Sequence, residues 1–469
     1  MKNKLFVTAV ALFCAVLISG VSSVLAADGD ILKRLERMEQ EISDLRMENA
    51  ELRTKVEGDK QQIRTENARL HDIVATDRKE IEELKKSAGK LGSGGLRAVL
   101  GKYDMQIYGR VKVDLQYDTG EMSGYGDLVG IVDAADHKND STNFNNRDTR
   151  FGVKVARRDG AWLSEARMEI DFYGSNSGNN LIPRMRLGYI KLTNDDWGAS
   201  LLIGQDWIPV ASLNPSMIEF GVMSGSGNLW WRVPQVTFRK NIGNFELLAS
   251  AMKHRRISYE ENDRMPWLLA KVSYKNGILG KGGLIALGGG WRNSRVGAGD
   301  FTWNDETNVN GRDNSVDRWL IALEIKLKIG KKLTFMAEPW IGQGLDKEFL
   351  RYRMGVNNNS SDASRRADTI LSRGGWLSLT YAFNPKVNMS IGYGVDDPDS
   401  DDMDGMLSDG SYNNHQFTKN ETYFINTWVA VTKAVKMGVE IQYHETERNG
   451  ALRGTNNAVR YVFSTIYNF

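Results

Sequence analysis

The chain has 469 residues, with 61 basic against 59 acidic side chains and a net charge of +2, so it has no global field to gather nucleic acid or an anionic surface. Beyond residue 27 no stretch reaches the roughly 18 consecutive apolar positions that a spanning helix needs, which excludes a bundle of membrane helices. The one cysteine, Cys14, sits near the N-terminus, so the remainder has no disulfide, thiolate nucleophile or cysteine-held metal.

Residues 1–26 read as a signal peptide: Lys2 and Lys4 precede an apolar run from Leu5 to Ile18, and Val24-Leu25-Ala26 offers small residues for cleavage before Ala27. Cys14 follows Leu12-Phe13 and lacks the context of a lipoprotein cleavage site. Residues 27–86 predict an α-helical coiled coil. Ile31, Leu35, Met38, Ile42, Leu45, Asn49, Leu52 and Val56 step by four and three, and Ile63, Leu70 and Ile73 continue the seam between mixed charges. Such a seam is longer than a single helix packed on a domain usually keeps, and Asn49 at a core position would fix register. The frame slips near Val74, so Ile81 and Leu84 fall out of it. Ser87-Ala88-Gly89-Lys90-Leu91-Gly92-Ser93-Gly94-Gly95 opens a Gly-rich linker assigned to 87–104.

From 105 to 469 the pattern changes period. Ile107, Gly109, Val111, Val113, Leu115 and Tyr117 alternate with Gln106, Tyr108, Arg110, Lys112, Asp114 and Gln116, and the same split returns at Trp162 to Phe172, Trp319 to Leu327 and Met437 to Tyr443. Only alternate residues of such strands meet lipid, so a transmembrane antiparallel β-barrel keeps a soluble-looking composition. Connections alternate between short ones, such as Arg158-Asp159-Gly160 and Asn384-Pro385, and long polar ones, which suits short periplasmic turns and longer external loops. Spacing gives sixteen strands, least securely around 245–276; a β-sandwich or propeller would not need lipid-compatible faces on so many successive strands. The last strand puts Val459, Tyr461, Phe463, Thr465, Tyr467 and Phe469 on one face, and an aromatic terminus with another aromatic two residues earlier, Phe469 and Tyr467, resembles the signal read by the barrel assembly machinery.

The segment near 209–229 carries apolar residues that would be awkward at an exposed loop tip, so it is expected to fold inward; a subunit contact is the other use for it. Arg110, Lys112, Arg150, Lys154, Arg167, Arg184, Arg186 and Arg239 fall on water-facing positions and, with Glu219 of the loop, form the candidate pore lining. Asp114, Glu165, Glu169 and Asp171 could pair with these bases and leave the wall neutral, so anion preference stays open at this point. Catalytic readings find no support: the five histidines lack ligand spacing, Ser224-Gly225-Ser226-Gly227 lacks the lysine of a phosphate loop, and the acidic run 396–405 misses the EF-hand spacing. No enzyme activity, cofactor, metal or nucleic-acid partner is expected.

Signal peptide, coiled coil, Gly-rich spacer, sixteen-stranded barrel and C-terminal Phe469 together resemble the DcaP-like porins, with Gly204-Gln205-Asp206-Trp207 as weak local support. The phosphate-selective porins share the barrel. The resemblance implies a homotrimeric channel of the outer membrane, in contact with its lipid and lipopolysaccharide and with the coiled coil in the periplasm. It also implies passive diffusion of small hydrophilic solutes, dicarboxylates or other small anions among them. The other function carried forward is an envelope tether, in which the coiled coil holds peptidoglycan or another periplasmic partner.

Overall fold

The computed structural model describes residues 29–87, 96–122, 130–133, 139–174, 181–254, 265–296, 314–345, 349, 355–357, 368–403, 417–448 and 454–469. The expected signal peptide, and the part of the linker from 88 to 95, lie outside them. Two units are present, one ending at Ser87 and one beginning at Ala88.

In the first unit, α1 (Gly29–Ser87) is one uninterrupted helix that runs past the expected slip near Val74. Its seam is open along the residues described. Met38, Ile42, Leu45, Leu52, Val56, Ile63, Leu70 and Ile73 are all exposed. None of the described helices is long and apolar enough to cross a membrane.

The second unit is a closed antiparallel sheet. Its first strands are β1 (Leu96–Leu100), β2 (Tyr103–Asp118), β3 (Ser141–Asn145), β4 (Arg150–Asp159), β5 (Trp162–Asp171), β6 (Arg184–Asn194), β7 (Ala199–Trp207) and β8 (Arg232–Ile242). There follow β9 (Phe245–Met252), β10 (Trp267–Tyr274), β11 (Leu284–Val296), β12 (Asn314–Ile329), β13 (Leu333–Gln343), and the two-residue pair β14 (Val356–Asn357) and β15 (Asp368–Thr369). The wall ends with β16 (Leu371–Asn384), β17 (Val387–Pro398), β18 (Lys419–Ala430), β19 (Val435–Arg448) and β20 (Gly454–Asn468). Closure comes from β20 bonding back to β2, from Arg110 opposite Asn468 to Asp118 opposite Arg460. Because β3 and β4 are two halves of one wall strand against β2, and β1 is a short addition, the barrel has sixteen strands. The uncertain stretch 245–276 resolves into β9 and β10 in regular register.

The linker assignment 87–104 needs correcting. Leu96–Leu100 is a strand, and β2 starts at Tyr103, before the expected 105. Five residues are too few to display a dyad. The strand exists because the lower edge of β2 has unpaired groups below the point where Phe469 ends β20, and β1 bonds to them from Leu96 opposite Ile107 to Leu100 opposite Tyr103.

Alternation places apolar side chains outside: Val111 and Val113 are 47% and 45% exposed, while Lys112 and Asp114 between them are 2% and 3%. Aromatic side chains gather at two levels of the wall, as lipid interfaces favour. Trp162 against Trp197, Phe245 against Tyr274 and Tyr381 against Phe383 lie near the short turns. Tyr393, Tyr423 and Tyr443, with Tyr461 and Tyr117, form rows nearer the long loops.

Candidate functional site

The segment 208–231, between β7 and β8, is fastened to the inner wall. Ile208, Val210, Ala211 and Leu229 pack with Trp267, Leu269, Leu320, Ala322 and Trp340 of the wall, which accounts for apolar residues in a loop. Polar fastening is specific. The Glu324 carboxylate accepts the Ser212 N–H at 3.0 Å and the Lys271 ammonium at 2.9 Å, and Glu338 accepts the Leu213 N–H at 2.9 Å. Glu440 accepts the N–H groups of Ile218 and Glu219 at 2.7 and 3.1 Å, with amide donors from Asn426 and Gln442. At the third anchor, Asn420 donates to the Gly225 carbonyl at 2.8 Å and the Trp340 indole donates to the Gly227 carbonyl at 2.6 Å. A Cβ on Gly227 would lie 2.3 Å from the Gly375 and Val395 carbonyl oxygens, so the loop approaches the wall there as only glycine permits.

This loop also holds all the non-glycine residues of positive φ among the described residues, Ala211, Val222 and Met223 at 53°, 42° and 63°. A β-branched residue in that region is strained, by about 1–3 kcal/mol, and persists only when its surroundings over-determine it. Burial pushes the Glu219 carboxyl up to about 7 even though Arg460, also bonded to Asp118, pairs with it.

The arc from β2 to β8 carries all eight of the predicted bases. Asp148, in the break between β3 and β4, binds Arg110, Arg150 at 2.8 Å and Lys112 at 3.4 Å. Lys112 also bonds Asp114 at 2.9 Å and donates to the Ile218 carbonyl of the loop at 2.7 Å. Arg186 bridges Glu169 at 2.8 Å and Asp171 at 2.7 Å, and Arg184 joins Asp171 at 2.7 Å. Arg167 bonds the Tyr108 hydroxyl at 2.6 Å and Glu169 at 3.2 Å; Lys154 pairs with Glu165 at 2.7 Å. Burial divides this set: side chains of Arg110, Arg150 and Arg184 are 25%, 24% and 21% exposed, while Arg186 is 1% exposed. Arg239 stands apart on β8, facing inward at partial burial.

The register explains why Arg184 and Arg186 serve differently. Between β5 and β6, Glu169 faces Leu187 but Ile170 faces Met185, so Arg186 is the extra residue of a β-bulge. Gln205 of the Gly204-Gln205-Asp206-Trp207 motif donates to the Met185 and Arg186 carbonyls at 2.9 and 3.1 Å, tying that bulge down.

Sequence reasoning missed a ladder of guanidinium groups and rings built on the same arc. Arg147 lies 4.7 Å from the Tyr173 ring, and Arg184 lies 5.2 Å from Tyr173 and 5.5 Å from Trp231. Arg232 is caged by Trp207, Trp230 and Trp231 at 4.7, 5.5 and 5.4 Å. Arg186 lies 5.7 Å from Trp207 and 5.6 Å from Phe220, and Arg150 closes the series 5.9 Å from Phe220. Arg232 is 5% exposed, and its Nη1 has no hydrogen-bond partner in the structure. The run Trp230-Trp231-Arg232, at the junction of loop and strand, was the available signal.

At the far end, Phe469 exchanges backbone hydrogen bonds with Gly109 at 3.0 and 3.1 Å, and Phe469 and Tyr467 are both exposed on the outer face.

No protein-family model matches the chain, and no curated protein matches it. Solved structures do. The DcaP outer-membrane channel of Acinetobacter baumannii superimposes with a TM-score of 0.64 at 20% identity, over 80% of this chain and 100% of that one. The OmpT outer-membrane protein of Vibrio cholerae and an anion-selective porin from Comamonas acidovorans each give 0.51, at 11% and 12% identity, over 80% and 78% of this chain and 100% of their own. At these identities the likeness concerns architecture: the chain has the sixteen-stranded barrel fold of outer-membrane porins, DcaP among them.

Proposed function

We propose that the protein is a water-filled channel for passive diffusion of small hydrophilic solutes across the outer membrane, with a preference for small anions. The observation that carries the preference is an asymmetry. Three inner-wall carboxylates outside the basic arc, Glu324, Glu338 and Glu440, are occupied by backbone N–H groups of the loop, whereas Arg110, Arg150 and Arg184 keep part of their surface open. The partly open residues along the loop from 212 to 217 are Ser212, Leu213, Asn214, Ser216 and Met217, all uncharged. In a narrow aqueous passage such an imbalance outweighs a net charge near zero. The resemblance to DcaP-like porins favours dicarboxylates within this class.

Arg110, Lys112, Arg150, Lys154, Arg167, Arg184, Arg186, Arg239 and Glu219 are proposed to act as the selectivity region, with Lys112, Arg186 and Glu219 shaping it from behind. The signal peptide, assembly through Tyr467 and Phe469, contact with lipopolysaccharide and a trimer joined by α1 belong to the same reading. A tethering role beside the channel is favoured by one observation, the uncovered seam of α1, which would be satisfied by further copies of itself while its charged faces met a periplasmic partner. Reversal potential in a salt gradient across a planar bilayer tests the main proposal. A shift to the anion side is expected; a shift to the cation side, or no conductance, overturns it.

A further inference from the structure

Resting on the outer-membrane reading, we infer that the short-turn end of the barrel carries, along β10 to β19, a binding surface for anionic glycerophospholipids of the periplasmic leaflet. Four short turns that follow one another around this arc repeat one pairing, an exposed apolar side chain followed by lysine. Between β10 and β11, Ile278, 84% exposed, precedes Lys281; at the end of β12, Ile329, 53% exposed, precedes Lys331 and Lys332. Phe383 precedes Lys386 ahead of β17, and Val431 precedes Lys433 ahead of β19. All five lysines are exposed. Residues 276–286, 325–337, 379–391 and 427–439 include no Asp or Glu, so these turns bring no carboxylate of their own to neutralise them.

Elsewhere on the short-turn end the bases are answered locally. Arg157 bonds Asp159 at 2.8 Å, Arg158 reaches Asp195 of the next turn, and Lys275, at the edge of the lysine arc, pairs with Glu246 at 2.9 Å. Lys240 donates to the Trp197 carbonyl. Apolar side chains are exposed there too, Trp197 and Ile242 among them, so surplus charge is what distinguishes the lysine arc. The course of Lys332 favours lipid over a soluble polyanion: its ammonium lies 5.7 Å from the centroid of the Tyr381 ring, on the outer face, and so follows the lipid-facing wall. Ammonium groups at that level meet headgroup phosphates while the neighbouring Ile, Phe and Val side chains reach the acyl boundary. A zwitterionic headgroup, which carries its own ammonium, gains less. One lysine near an anionic surface is worth on the order of fivefold in association.

The test uses the full-length protein in phosphatidylcholine vesicles, with spin-labelled phosphatidylglycerol and phosphatidylcholine as probes and the motionally restricted fraction of each as the readout. Phosphatidylglycerol should be enriched about fivefold at low salt, and the enrichment should shrink as salt rises. Lys281→Gln, Lys331→Gln, Lys332→Gln, Lys386→Gln and Lys433→Gln together should bring the two lipids to equal association, while the five Lys→Arg changes should keep the preference. The pair Lys331→Gln and Lys332→Gln, which should lower the enrichment by about half or more, covers the case in which the larger set fails to fold. Arg158→Gln with Lys240→Gln, outside the arc, should leave it in place. Equal association of the two lipids with the native protein, or an equal loss in that outside pair, overturns the surface. Binding of polyglutamate to the detergent-solubilised protein without any lipid preference would assign the arc to an acidic periplasmic polymer and overturn the lipid reading. Fractionation of the native protein away from the outer membrane would overturn the location on which the inference rests, whatever the lipid ratio is.

Discussion

The two halves of the inner wall use charge in opposite ways. Along β2 to β8, bases and carboxylates pair side chain to side chain, and the surplus is basic and partly open to the bore. Along β12, β13 and β19 the carboxylates of Glu324, Glu338 and Glu440 face loop backbone and have been drawn out of the lumenal field. A wall residue's charge therefore says little about selectivity until its partner is known: Glu440 is a fastener and Arg184 an electrostatic surface, although both stand at inward positions of strands.

The sharpest way to break the comparison is within the basic arc itself. Arg186→Met should strip a buried cation from Glu169 and Asp171 and cost about 3–5 kcal/mol, seen as a lowered unfolding temperature of the heat-modifiable barrel. Arg184→Gln should cost far less in stability and move the reversal potential toward cations, by an amount that shrinks as salt rises. If the two substitutions behave alike, burial is not what separates them.

On the other arc, Glu440→Ala should leave the Ile218 and Glu219 N–H groups bare and weaken loop docking by about 3 kcal/mol, giving larger and noisier single-channel currents without a large change in selectivity. Unchanged conductance would mean that the apolar anchors hold the loop alone.

A smaller effect is expected at the closing seam. A Cβ on Gly109 would lie 2.4 Å from the Arg150 carbonyl oxygen and 2.5 Å from the Phe469 ring, so Gly109→Val should strain the pairing of β2 with β4, displace that ring and destabilise the folded barrel by about 1–3 kcal/mol. Replacing Phe469 with Asp should lower the folded fraction, more than the same change at Asn468; equal folded fractions would show that the terminal ring is not read as a signal.

The mildest test is pH. The carboxyl of Glu219 is raised from 4.5 to about 7 when the loop is docked, so its contribution to docking is complete below about pH 4.5 and is lost as pH rises through about 7. Open-channel noise should grow between pH 5 and 8 in the native protein and stay flat in Glu219→Gln.

Strand identity was legible because outward positions must be apolar along every strand, a rule that repeats over hundreds of residues. The inward fold of 209–229 was legible for the opposite reason, as apolar residues out of place in a loop. Other features have no local signature. β1 exists only because β20 stops short of the end of β2. Arg186 was read as one more wall cation, since the bulge that turns it toward Glu169 and Asp171 is a matter of cross-strand register. Arg232 escaped notice because its significance lies in three indoles that converge on it in space, one of them 25 positions earlier at Trp207.

The loop leaves the wall between β7 and β8 and is bonded to β12, β13, β18 and β19, so it runs as a chord across the bore. A hollow tube of sixteen strands resists squeezing poorly, because ovalisation only bends its circumference. A chord fixed at several points converts that bending into tension along a bonded strut. In the proposed channel the segment assigned to narrow the passage is thus also a brace against lateral pressure, and shortening it should alter the elasticity of the barrel as well as its bore.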